Sequence, residues 1–243
     1  MLSLLKKEIT SFLGSITGYL VIVVFLTLIA LFMWIFPGEL NVLDSGYAQL
    51  ATLFNIAPWV FMFLIPAVTM RSFADENKSG TIELLLTKPL TDMQIIIAKY
   101  LAGFILVLFS LLPTLIYYYS VYQLGNPPGN LDIGGFWGSF IGLMFLSAGF
   151  VSIGIFSSAL TDNQIISFIL AVFISVIFFI GFDSLASLPF LSSIDYLILK
   201  LGINEHYISM SRGVIDTRDV VYFISLIALF MMLTKTKLES RKW

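Results

Sequence analysis

Six long stretches of uncharged, mostly apolar sequence constrain this chain more than anything else in it: residues 16–36, 50–70, 100–122, 136–159, 165–182 and 220–234. A helix needs roughly 20 such residues to cross a bilayer. With 58% of its 243 residues hydrophobic and 12% charged, the chain carries about half the charge of a typical soluble domain, whose charged share is about 25%. A water-soluble fold of this length has too little interior to hide that much apolar surface. The expected fold is therefore all-α: one polytopic membrane domain over residues 1–243 with six transmembrane helices. The fifth run stops at Asp183. The sixth is short, so it must borrow residues at an end or lean on its neighbours.

Lysine and arginine placement orients the helices. The N-terminus, the 71–99 loop and the C-terminal tail hold Lys6, Lys7, Arg71, Lys78, Lys88, Lys99, Lys235, Lys237, Arg241 and Lys242, while the other side holds Lys200, Arg212 and Arg218. This bias puts both termini in the cytoplasm. Trp34, Trp137 and the group Tyr117, Tyr118, Tyr119 and Tyr122 then fall at outer helix ends, where amphipathic rings favour the interface. Trp59 lies mid-span beside Pro58, with Pro66 beyond, and those prolines predict a kink in the second helix. Lys6 and Lys7 ahead of an apolar run resemble a signal peptide, but the run is long and no small-residue cleavage site follows, so it reads as a retained first helix.

Two segments do not span. Over residues 1–13, Leu5, Ile9, Phe12 and Leu13 share a helical face away from Lys6 and Lys7. This predicts an amphipathic surface helix, the alternative being a cytoplasmic extension of the first span. Residues 184–219 are too apolar for an ordinary loop, and Pro189 and Gly202 divide them into short pieces. A re-entrant or external helical hairpin between spans five and six is the expected form.

There are no cysteines and one histidine, His206, which excludes disulfides, thiolate metal sites and multi-histidine centres. No phosphate-binding G-x-x-x-x-G-K-[ST] loop and no hydrolase or dinucleotide fingerprint occurs. The six runs contain no charged side chain, whereas ion-coupled carriers keep ionisable groups inside the membrane. The loop after the second run is the richest segment. Ile82, Leu85 and Leu86 form an apolar face at helical spacing, Gly80 precedes them, Pro89 stops them, and Thr91 with Gln94 has the form of a capping box. A short cytoplasmic helix held between two spans could contact a partner or rest on headgroups; the physics weighs these equally. Glu83 alone reads as its solvated face. Gly134, Gly138 and Gly142 recur every four residues and suit close helix packing, within the subunit or at a dimer interface. His206 beside Glu205 reads as a local structural pair, and Asp183 as an acid meeting water at a helix end.

Arg71, Glu76, the run Gly80-Thr81-Ile82-Glu83-Leu84-Leu85-Leu86 and Pro89-Leu90 resemble the cytoplasmic coupling segment of ABC-2-type transporter permeases. Residues 202–219, with Glu205, His206, Arg212 and Gly213, resemble the outer segment before that family's last span. The resemblance covers nearly the whole chain, and within the family the overall likeness is to the gliding-motility-associated permeases. It implies a non-catalytic, multi-pass subunit of the cell inner membrane, in contact with membrane lipid, a second permease half and a cytoplasmic P-loop ATPase. ATP and magnesium would sit on that ATPase, with no cofactor, metal or nucleic acid on this chain. Lys78, Gly80, Thr81, Ile82, Glu83, Leu84, Leu85, Leu86 and Pro89 would make the ATPase contact. A secondary transporter or channel is the alternative. A membrane-embedded enzyme is a weaker one, for which only Glu205, His206 and Arg212 could converge. The helices carry no readable code for cargo, which lipid, glycan, peptide or ion would all fit.

Overall fold

The computed structural model describes residues 1–81, 90–189 and 193–240. Among these residues the regular structure is entirely helical, and six helical stretches are long and apolar enough to cross a membrane: Gly18–Ile35, Ala51–Ser79, Asp92–Leu124, Ile133–Leu160, Gln164–Ala186 and Thr217–Glu239. Helix α1 (Leu2–Leu13) precedes α2 (Ile16–Ala30), which runs into a π-helical turn at Leu31–Ile35. The second span is α3 (Ala51–Thr69) followed by α4 (Arg71–Ser79), and the third is α5 (Asp92–Leu111) with α6 (Thr114–Leu124). The fourth is the unbroken α7 (Ile133–Leu160). The fifth combines α8 (Gln164–Val176), a π-helical turn at Ile177–Gly181 and α9 (Phe182–Ala186). Short helices α10 (Asp195–Leu199) and α11 (Ile203–Ser211) lead to α12 (Thr217–Glu239).

The fourth span is the hub. Of its most apolar window 78% is buried, against 28% for the first span and 22% for the fifth. Phe25 stacks on Phe61 at 4.5 Å between the first two spans, and Phe145 stacks on Phe223 at 5.8 Å between the fourth and sixth. The peripheral helices turn Leu20, Val23, Ile169 and Phe173 outward, which water would penalise and lipid does not. Trp59, 50% exposed, is one of these outward residues and also meets Phe179 edge-on.

Helix ends extend beyond the apolar runs. The sixth span has 23 residues, about 34 Å at 1.5 Å per residue, so it gains length at both ends. Asp216 caps its start by accepting from the Arg218 amide. The third span begins at Asp92 behind the complete capping box of Thr91 and Gln94. Lys99 therefore lies within a helix and is buried, not in a loop. Helix α3 continues through Pro58 and Pro66 and gives way to α4 at Met70.

Helix α1 is a separate element. The chain breaks at Gly14 and Ser15, and the Ser15 hydroxyl accepts from the Gly18 amide to start α2. Ile9, Phe12 and Leu13 face Ala102, Ile105, Leu106 and Phe109 of α5. Six helices that alternate in direction bring both termini to one end of the bundle. At the opposite end α11 is covered by protein: Ile203, His206, Tyr207 and Met210 are buried, and the Tyr207 hydroxyl donates to the Phe54 carbonyl at 2.8 Å.

Candidate functional site

The end of the bundle that carries the termini holds a connected set of buried polar contacts around α4. A helix start leaves amide donors without intrahelical partners, and Met70, at the cap position of α4, has no side-chain acceptor. The acceptor comes from the last turn of α7. The Ser158 hydroxyl receives the Phe73 and Ala74 amides at 2.9 and 3.1 Å and donates to the Met70 carbonyl at 2.9 Å. One hydroxyl thus closes the α3–α4 break and fixes α4 to the fourth span.

Lys99 supplies the second link. Its side chain is 1% exposed, and its ammonium donates to the Ser72 carbonyl at 2.6 Å, to Glu76 at 2.9 Å and to Glu8 at 3.3 Å. It also lies 5.1 Å from the centre of the Phe73 ring, a favourable place for a cation. One lysine on α5 thereby joins α4 to α1. A buried charge is tolerable only when paired and hydrogen-bonded, and three donor contacts meet that condition. A cavity of about 260 Å³ opens beside it, lined in part by Lys7, Ser11, Arg71, Asp75 and Glu76.

The third link is to the turn between α7 and α8. Asn77 donates to the Thr161 carbonyl at 3.2 Å, and Gln164 donates to the Asp75 carboxylate. Gly80 then ends α4 with φ +70, the left-handed conformation that glycine adopts without cost. Glycine at this position closes α4 and, as the sequence pattern placed it, precedes a helical residue, Thr81. Lys78 lies in the last turn of α4, and the Thr81 hydroxyl is 2.8 Å from that of Ser79. Ile82, Glu83, Leu84, Leu85, Leu86 and Pro89 lie outside the described residues.

At the opposite end, Gly138 and Gly142 of α7 meet α11. A Cβ on Gly138 would come within 2.6 Å of the Met210 carbonyl oxygen and 2.7 Å of Gly213 Cα, and one on Gly142 within 3.2 Å of Met210 Cβ. Gly213, at φ +85, lies against the Gly134 backbone. These glycines seat α11 and Gly213 on the fourth span of the same chain.

His206 does not pair with Glu205. Its Nδ1 lies 2.7 Å from Asp219, while Glu205 is exposed. Adjacent residues on a helix point about 100° apart, since a turn takes 3.6 residues. Arg212 is exposed as well, so Glu205, His206 and Arg212 form no convergent group. Asp183 is not simply solvated: it accepts from Asn204 at 2.7 Å. Burial pushes the Tyr207 phenol up from its ordinary value. Ser158, Lys99, Glu8 and Asp219 were not singled out by the sequence pattern, although Lys99 and Asp219 each abut an apolar run.

A family model described as ABC-2 family transporter protein matches residues 2–234. No curated protein matches the chain. With six membrane-length helices and a match over nearly its whole length, the chain belongs to the ABC-2 family of transporter proteins.

Proposed function

We propose that the chain is the permease subunit of an ATP-driven transporter, coupling ATP hydrolysis on a separate cytoplasmic ATPase to export or force transmission across the inner membrane. The observation that carries this reading is the anchoring of α4. It is capped by the fourth span, clasped by Lys99 to the third span and α1, and tied through Asp75 and Asn77 to the turn before the fifth. Along the sequence α4 is followed by residues 82–89, which resemble the family's ATPase-docking segment. A push on that segment would reach three spans through buried and part-buried hydrogen bonds. This end is then the cytoplasmic one, in keeping with its excess of lysine and arginine.

The buried ionisable groups agree with an external energy source. Lys99 is the eighth residue of α5 and Asp219 the third of α12, so both sit toward helix ends. Ion-coupled carriers hold such groups near mid-membrane. The transporter would comprise two permease halves and two ATPase subunits, the latter holding ATP and magnesium. Glu83 would make the docking contact, with Leu84, Leu85 and Leu86 seating the helix, and residues 184–219 would form the outer re-entrant hairpin. Overall likeness favours a role like that of the gliding-motility-associated permeases, in motility or protein secretion.

The test is a pull-down of the tagged full chain in mild detergent, with mass spectrometry of the recovered proteins. Recovery of a P-loop ATPase supports the proposal, and recovery of the chain alone overturns it.

A further inference from the structure

The single histidine of the chain sits in a surrounding that accepts and does not donate. His206 Nδ1 is 2.7 Å from Asp219 Oδ1, and Nε2 is 3.0 Å from the Lys200 carbonyl oxygen. A neutral imidazole has one N–H and one lone pair. The carbonyl can only accept, so Nε2 carries a proton. The contact to Asp219 needs a second proton, on Nδ1 or on the carboxyl. The ring also stacks on Tyr222 at 3.9 Å and 16°, placing an aromatic face where a cation is favoured. The Tyr222 hydroxyl itself donates to the Leu201 carbonyl at 2.7 Å. The His206 and Asp219 side chains are each 7% exposed, and Asp219 Oδ2 has no hydrogen-bond partner among the described residues.

We infer that His206 and Asp219 form a buried proton-binding clasp, in which one shared proton ties α11 to α12. Without it, a ring lone pair would face a buried carboxylate whose other oxygen is already unpaired, a costly arrangement. Other groups at this junction do not replace the proton. The α7 face and the Ile177–Gly181 turn present no ionisable side chain. Asp183 accepts from Asn204, the Lys200 ammonium lies over Tyr196, and Glu205, Asp216 and Arg218 are exposed. Among the described residues, no lysine or arginine lies within ion-pair distance of Asp219. Because α11 also fills the Gly138 and Gly142 notch, loss of the proton would loosen the hairpin from the last span.

The inference is independent of the ATPase partner and can be tested on the full chain in nanodiscs. Labelling histidine with ¹⁵N gives one residue's ring signals. With ¹³C at the Asp219 carboxyl as well, wild type is expected to show Nε2 protonated and a second proton held at Nδ1 or at the carboxyl while α11 is protected from hydrogen exchange. Raising the pH should remove the second proton and the protection of 203–211 at one common midpoint. Asp219→Asn can donate its amide to Nδ1, so its α11 should stay protected through that midpoint with a neutral His206. A bare Nδ1 facing an ionised Asp219 carboxylate, with α11 still protected, would overturn the inference. So would a shared midpoint that persists in Asp219→Asn. The wild-type titration decides the matter even if the variant does not fold.

Discussion

Ser158→Ala should separate α4 from the fourth span. The substitution removes the acceptor of the Phe73 and Ala74 amides and the donor to the Met70 carbonyl, at a site with no solvent exposure. A missing hydroxyl leaves too little room for a water molecule to take its place. A buried donor left unpaired costs about 1–3 kcal/mol. Two such donors on one oxygen therefore give about 2–6 kcal/mol. At about 1.4 kcal/mol per factor of ten, local opening of α4 should rise by about thirty-fold at the lower bound and on the order of ten-thousand-fold at the upper. Ser157→Ala is the matched control. That hydroxyl is equally buried but donates only to the Ile153 carbonyl of its own helix at 2.9 Å, so its loss should cost less than about 1 kcal/mol. The assay is hydrogen exchange across residues 71–79, alongside equilibrium unfolding in micelles. Equal exchange and equal stability in the two variants would refute the capping argument.

Lys99→Met should cost about 3–5 kcal/mol, because it strands Glu76 and leaves Glu8 only the exposed Lys7 at 3.8 Å, and adding Glu8→Gln and Glu76→Gln should restore most of the loss in thermal unfolding. Gly138→Ala should destabilise by about 1–3 kcal/mol through backbone clash with Met210 and Gly213. Gly134→Ala meets only Asp132 at 3.5 Å and should change stability by less than about 1 kcal/mol; unfolding of the pair checks both. The Arg218 amide holds the Asp216 carboxyl below its ordinary range. The folded value being depressed, its contribution to the start of α12 is present above that range and fades as pH falls through the lowered value. Asp216→Asn should keep the cap and flatten this acid dependence, as read by exchange at the first amides of α12.

The number and order of spans were legible because lipid-facing and core-facing turns alike are apolar, so each helix leaves a continuous run. Helix ends were less legible. The capping box at Thr91 marked the start of the third span, but Thr217–Asp219 continue the sixth with polar residues that look like loop sequence. Lys99 read as a loop cation because its burial depends on Glu8, 91 positions away, and Glu76, 23 away. Asp219 was missed for the same reason: it meets His206 across 13 residues, whereas Glu205 is next in sequence. Ser158 looks like any small residue in an apolar run, and its role exists only because α3 gives way to α4 beside it. The glycine spacing in the fourth span showed that something approaches closely, but the identity of α11 as that element came from the tertiary fold.

The central claim is that motion of an ATPase is delivered through residues 82–89 into the anchored α4. The most direct measurement is ATP hydrolysis by the partner ATPase reconstituted in liposomes with the wild-type chain or with Glu83→Arg. The account predicts that the wild-type chain raises ATPase activity and that Glu83→Arg abolishes this increase while the permease stays folded and inserted. An undiminished increase with Glu83→Arg would contradict it.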